Sequence, residues 1–356
     1  MEPVTHFLTG ACLGRSGFNR RTAYATLAMT LAAEAPDIDV FWGFHGPVSG
    51  FEHHRGITHT LLGAPFMALA VTGIVWLIHR VRKKRGPIAP RWALIWLFAL
   101  LADFSHLLLD FTNNYGLRPF FPFDPHWYAW SIVFIFDPLI FLALLSSLIM
   151  PWLFGLADRE IGVRRTRFGG RGWSIAALVF IVLWWSLRNA EHAHAISLVR
   201  SAGVVSEPIA RIDAEPSIVD PFTWHVIAET RDFYQITEVH TLHDQIEDRS
   251  PDASDLTYKP PVTAAVLAAK QSWLGRAYLD WSLFPVVTDL GSDPVPYDTA
   301  PLPQSSWHTI QFQDLRFANR ALGLNGPRSG TPLGAYVYVG PRNEVEGMFM
   351  SGKEQK

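Results

Sequence analysis

The 356-residue chain is 49% hydrophobic and only 17% charged, which is apolar for a soluble protein, and it is long enough for two domains. Its net charge of −2 gives no general attraction to nucleic acid, and a single cysteine, Cys12, excludes an internal disulfide framework and a cysteine-based zinc site. Residues 1–20 lack an arginine-flanked apolar core ending in a small-residue cleavage site, so no removable signal peptide is expected.

In chain order, residues 5–14 and 22–35 are short apolar segments rich in small residues, joined by a turn with Arg15, Arg20 and Arg21. Neither reaches the roughly 20 residues that cross a bilayer as a helix, so they predict a helical hairpin that dips into the membrane or packs on later helices. Pro36 disfavours helix at Ala35 and hands the chain to a turn carrying Asp37 and Asp39. The loop that follows holds His53, His54, Arg55, Gly56 and His59 immediately before an apolar run. A bend at Gly56 would let His54 and His59 face one ion from either side of a turn.

Four transmembrane helices are predicted, over residues 61–79, 92–111, 131–154 and 173–187. The first ends in Arg80, Arg82, Lys83, Lys84 and Arg85, and the loop between the third and fourth holds Arg159, Arg164, Arg165, Arg167 and Arg171. By the positive-inside rule these loops face the cytoplasm, which puts residues 36–60, 112–130 and everything after about 189 on the outer side. Beyond Arg188 the composition is that of a soluble domain. Residues 223–229 and 233–239 flank Thr230, Arg231 and Asp232 as a β-hairpin, 308–317 and 335–339 read as strands, and 262–278 as helix. The expected architecture is an all-α polytopic membrane domain over residues 1–190, a short N-terminal helical hairpin plus about four transmembrane helices, followed by a small extracytoplasmic α+β domain over 191–356.

The second span carries Asp103, His106 and Asp110, three, four and seven residues apart and therefore on one helical face. An aspartate at the centre of a membrane helix costs about 2.5 to 3.5 kcal/mol, so a stripe of three needs a common partner, and a metal cation supplies one. Asp37, His54, His59 and Asp39 lie on the same predicted side, with His6 on the first short segment. Nitrogen and oxygen ligands of this kind suit zinc, or manganese or iron in a hydrolytic centre, with one or two ions. Two ions sharing a bridging aspartate would account for the surplus of ligands.

Blander readings exist for each residue. Asp37 and Asp39 can form a simple Pro-Asp turn, Asp103 can pair with Arg55 or a buried amide, and His53 can be a surface histidine. Arg55 either binds an anionic substrate group or anchors the loop on an aspartate. Asp137, before Pro138, is expected to orient a ligand rather than bind metal. Glu191, His192 and His194 read as surface groups, and His225, His240, His243 and His308 stand in no ligand pattern.

The order and spacing of His6, of Pro36, Asp37, Ile38 and Asp39, of His54 through His59, and of Asp103, His106 and Asp110 resemble the YdjM-like inner-membrane metal-dependent hydrolases, over about the first 190 residues. That family's name also carries a LexA-binding label. The family's histidine loop usually ends in serine, and Thr60 here keeps the hydroxyl. The resemblance implies a membrane-embedded helical domain with metal-dependent hydrolase activity; a more distant likeness to zinc-dependent phospholipases C and single-strand nucleases points to phosphoesters by analogy.

The expectation is a membrane metallohydrolase acting on a lipid or lipid-linked phosphoester at the outer face. Its metal ligands are drawn from His6, Asp37, His54, His59, Asp103, His106 and Asp110, with Asp39 and Arg55 in catalytic support. Membrane lipid is the expected partner and nucleic acid is not. The alternatives are a binding or assembly protein whose metal only staples helices, and a metal transporter.

Overall fold

The computed structural model describes residues 1–82, 88–160, 170–218, 220–247, 255–295, 302–317 and 333–355, without the side chains of 157–160. It has an N-terminal helical region with four candidate membrane spans and a C-terminal domain of two antiparallel sheets with short helices. The chain divides into two compact units, one made of Met1–Ile38, Arg55–Ala193 and Pro216–Phe222, the other of Asp39–His54, His194–Glu215 and Thr223–Lys356. The loop expected to belong wholly to the membrane region is thus shared between the units.

In the first unit, α1 (Pro3–Arg15) and α2 (Ala25–Glu34) form the expected short hairpin. Their contact uses small residues: Gly10 of α1 lies against Met29, Thr30 and Ala33 of α2, and Gly14 against Thr26. Such stripes let helix backbones approach closely where water supplies no driving force. A Cβ on Gly10 would stand 2.5 Å from the Met29 carbonyl oxygen and 2.7 Å from the Ala33 Cβ. Backbone cannot step aside cheaply, so Gly10→Ala should destabilise the unit by about 1–3 kcal/mol, more than the ~1 kcal/mol of helix propensity it gains. A melting curve in detergent that matched the parent would count against this packing.

The candidate spans are α4 (Ala64–Val81), α5 (Trp92–Thr112), α6 (Pro138–Glu160) and α7 (Arg171–Ala202), after a one-turn-plus helix α3 (Pro47–His53). Along α5, Leu97, Leu101, Phe104 and Leu108 are exposed while Asp103, His106 and Asp110 are buried. The ionisable stripe therefore faces the bundle interior, the side on which membrane helices keep such groups. The third span starts seven residues later than predicted, at Pro138, because Asp137 caps it: its Oδ1 accepts from the Leu139 and Ile140 amides, and its Oδ2 from Trp184. The fourth helix runs past Leu187 to Ala202, since its last turns bury Ala195 and Val199 beside Ala214, Trp224 and Val226, packing that a search for spans does not register. The basic residues 83–85 and 164–167 that fixed the predicted orientation lie outside the described residues.

In the second unit one sheet has the order β1 (Arg211–Pro216), β2 (Thr223–Glu229), β3 (Phe233–His240), β4 (Gln245–Ile246), with β5 (Leu256–Tyr258) also on β3. The predicted hairpin is β2 and β3, in register Glu229↔Tyr234. Between the sheets in sequence come α8 (Ala264–Gln271) and α9 (Trp273–Trp281), where one helix was expected. Ser272 splits them: its backbone is extended and its hydroxyl caps α9 by accepting from Gly275. The second sheet is β6 (Pro285–Asp289), β7 (His308–Asp314), β8 (Ala335–Val339), β9 (Val345–Met350) and β10 (Lys353–Glu354), antiparallel in the order β10-β9-β8-β7-β6. Strand β7 stops short of its predicted end because Arg316 folds back to bind Asp314 through both its amide and its guanidinium, making a 3-10 turn of Leu315–Phe317.

Candidate metal centre

Within the first unit, α1, the segment after α2, the turn before α4, and α5 each supply part of one buried cluster. Helix α1 carries His6; Asp37 follows α2; a 3-10 turn, Ile57–His59, presents His59; α5 gives His106 and Asp110. Two ligand groups result, His6 with Asp37 and His106, and His59 with His106 and Asp110, so His106 is common to both.

His59 is held from both sides. Its amide donates to the Gly56 carbonyl, its Nδ1 lies 3.1 Å from the Thr58 hydroxyl, and the Thr60 hydroxyl receives the Gly63 amide to start α4. The chain turns one residue earlier than expected: Arg55 takes the left-handed conformation, φ 52°, while Gly56 has φ −79°. The reason lies in the Arg55 side chain. Its guanidinium is buried, donating to Asp110 Oδ1 at 2.8 Å, to the Gly116 carbonyl at 2.6 Å and to Asn113 Oδ1 at 3.3 Å, over the Tyr115 ring.

The protonation pattern at His106 tests whether a cation fits. Its Nδ1 stands 2.8 Å from the Ala33 carbonyl oxygen, which only accepts, so Nδ1 carries the hydrogen. In the neutral ring the Nε2 lone pair then points at His59 Nε2 at 3.0 Å, Asp110 Oδ2 at 3.4 Å and Asp37 Oδ1 at 3.7 Å. A neutral His59 meets this lone pair with its Nε2 hydrogen, and a metal ion would take that hydrogen's place with both imidazole nitrogens and the carboxylates as ligands. A histidine whose far nitrogen is fixed on a backbone carbonyl is the usual arrangement around a metal. His6 completes the cluster, its ring stacked on His106 at 3.7 Å and its Nε2 3.4 Å from Asp110 Oδ1. Burial would raise the Asp37 carboxyl, but the hydrogen bond from His59 and the neighbouring imidazoles outweigh it and hold it at about 2, so Asp37 enters the cluster ionised.

The remaining sequence candidates sit elsewhere or differently. Asp103 is fully buried on the same stripe, and neither carboxylate oxygen has a hydrogen-bond partner among the described residues; it belongs to neither ligand group. His54 and Asp39 lie in the second unit and pair with each other, Nδ1 to Oδ1 at 3.3 Å. His53 stacks on Trp42, and His194 lies 2.6 Å from Asp244. Glu34, not a candidate from the sequence, is half-buried at the end of α2 with Oε1 lacking a hydrogen-bond partner among the described residues; burial first, then Asp37, pushes its carboxyl up to about 7. Its signal was available: a lone acid in an alanine-rich helix, three residues before Asp37.

Over 156 residues, 42% of this chain and 45% of the other, the sequence is 30% identical to the uncharacterized protein YfhP of Bacillus subtilis (strain 168), so the match spans less than half of that relative's length. No solved structure matches the chain. The model of the YdjM inner membrane protein family matches residues 1–195, more than half of the chain and all of the buried cluster, and the chain belongs to that family.

Proposed function

We propose that this protein is a metal-dependent hydrolase that cleaves a lipid or lipid-linked phosphoester, with its site opening on the outer face of the membrane. The observation that carries the reading is the approach of His59 Nε2 and His106 Nε2 to 3.0 Å, with the carboxylates of Asp37 and Asp110 beside them. A divalent cation held there, zinc first and manganese or iron next, would polarise a phosphoryl oxygen and make water acidic enough to ionise near neutral pH. His6, Asp37, His59, His106 and Asp110 hold it, and the sharing of His106 suits one ion or two. Arg55, committed to Asp110, positions that ligand and does not bind the substrate. Glu34, whose carboxyl is poised at about 7, is the carboxylate suited to take the proton.

A lipid substrate is supported by what surrounds the ligands. Val4 and Phe7 near His6, Ile38 next to Asp37 and Ile57 two residues before His59 are exposed apolar side chains. Of the ligands only Asp37 is partly exposed, and its neighbour Ile38 is an exposed apolar side chain that suits an acyl chain better than water. The outer-face assignment rests on the basic loops of the sequence.

Purified protein in mixed micelles should hydrolyse phospholipid or polyprenyl phosphoesters, lose turnover to a chelator and recover it with one of the three metals, with much weaker action on small water-soluble esters. Absence of metal-dependent turnover across these classes would favour the reading in which the metal only staples α1 and α5.

A further inference from the structure

We propose that residues 40–44 form an interfacial wedge that inserts into the headgroup and acyl boundary of a phospholipid leaflet. Val40, Phe41, Trp42 and Phe44 are 69%, 56%, 44% and 85% exposed, within a run of 3-10 turns from Ala35 to His45. No charged side chain interrupts them between Asp39 and His45. A contiguous aromatic and aliphatic patch of this kind requires an occupant.

The segment is built to present these side chains rather than bury them. Its C-terminal end is tied down inside the second unit. Phe51 packs on Trp281 at 5.3 Å and Tyr278 at 5.8 Å, the Trp273 indole donates to Glu52 at 2.8 Å, and the Gln355 amide accepts from Val48 and donates to the His45 carbonyl. Its rings are also preorganised: Phe41 stacks on Phe44 at 5.7 Å and Trp42 on His53 at 4.1 Å. The base of the segment is thus anchored by named contacts while its apolar side chains stay on the surface.

Two observations select lipid as the occupant. Phe44 is six residues from Ile38, itself 52% exposed in the unit that holds the four spans, and six residues reach no more than about 20 Å. The bilayer is thus within reach of the segment by chain length alone. Where the chain returns to the first unit, Ile57, Leu61, Leu62 and Phe66 are exposed apolar side chains leading into the span α4. Tryptophan and phenylalanine with no charge among them are the composition of an interfacial anchor, which sinks about 5–10 Å into the boundary. The inference is independent of the hydrolase reading, since it concerns membrane contact and not turnover.

The test uses the full chain in phosphatidylcholine and phosphatidylglycerol vesicles. Cys12 is fully buried, so Phe44→Cys and, separately, Phe41→Cys can be labelled with an environment-sensitive fluorophore, with Val345→Cys, 40% exposed on β9, as the control. Lipids bearing a nitroxide high on the acyl chain should quench more than half of the emission at positions 41 and 44, and far less at 345. Quenching at 44 no greater than at 345 overturns the proposal. So does a blue-shifted emission that lipid nitroxides leave untouched, because a protein partner would then cover the patch.

Discussion

Purified His106→Ala protein should emerge from detergent gel filtration without the metal that the parent retains. His106 is the one residue shared by both ligand groups, and its Nδ1 bond to Ala33 fixes the ring so that Nε2 faces the other ligands. Loss of a partner that only orients a ligand costs about 10–100-fold in metal affinity, and removal of a shared ligand should cost more. His59→Ala should behave in the same way, whereas His53→Ala, which removes a ring stacked on Trp42, should leave the metal content unchanged. A folded parent with metal at about 100 times its dissociation constant gains roughly 2.7 kcal/mol, so added metal should raise the parent's melting temperature and not that of His106→Ala. Full retention of metal by His106→Ala, measured by elemental analysis, would remove the basis for a metal centre.

The fold class was legible because its signals are local. Four apolar runs, a short glycine- and alanine-rich hairpin and the turn at residues 230–232 each act over a few residues. The missed boundaries were set by side chains whose partners are structural: Asp137 capping α6, Ser272 capping α9, and Arg316 folding back on Asp314. The helical stripe of Asp103, His106 and Asp110 could be read from period alone, but which neighbours it meets could not. That depends on the α2 alanines packing on Ile95, Ala99 and Ala102 of α5, which brings the Ala33 carbonyl to His106. The assignment of residues 39–54 to the second unit rests on Phe51 and Glu52 packing with α9, more than 200 residues later, and no short-range pattern encodes it.

Arg55→Ala should destabilise the membrane unit by about 1–3 kcal/mol, the cost of leaving the buried Asn113 and Gly116 acceptors without their donor, while the Met1 ammonium stays paired with Asp110. Arg55 is 3% exposed, and its guanidinium joins Asp110, Asn113 and the Gly116 carbonyl, tying the histidine turn to the end of α5. It also holds Arg55 itself in a left-handed backbone conformation that most residues avoid. Arg55→Lys should fall between the parent and the alanine variant, because an ammonium can meet Asp110 but lacks the fork that reaches Asn113 and Gly116 together. The double variant Arg55→Ala with Asp110→Asn should be more destabilised than Arg55→Ala alone, since it also takes the carboxylate from the buried Met1 ammonium. Thermal melts of the four proteins in one detergent, with a chelator present throughout, give the comparison free of metal effects. A substrate-binding arginine predicts a different result: the Arg55→Ala melting curve would match that of the parent, and any defect would fall on KM. Equal melting temperatures would therefore return Arg55 to the substrate and leave the turn before His59 without its anchor.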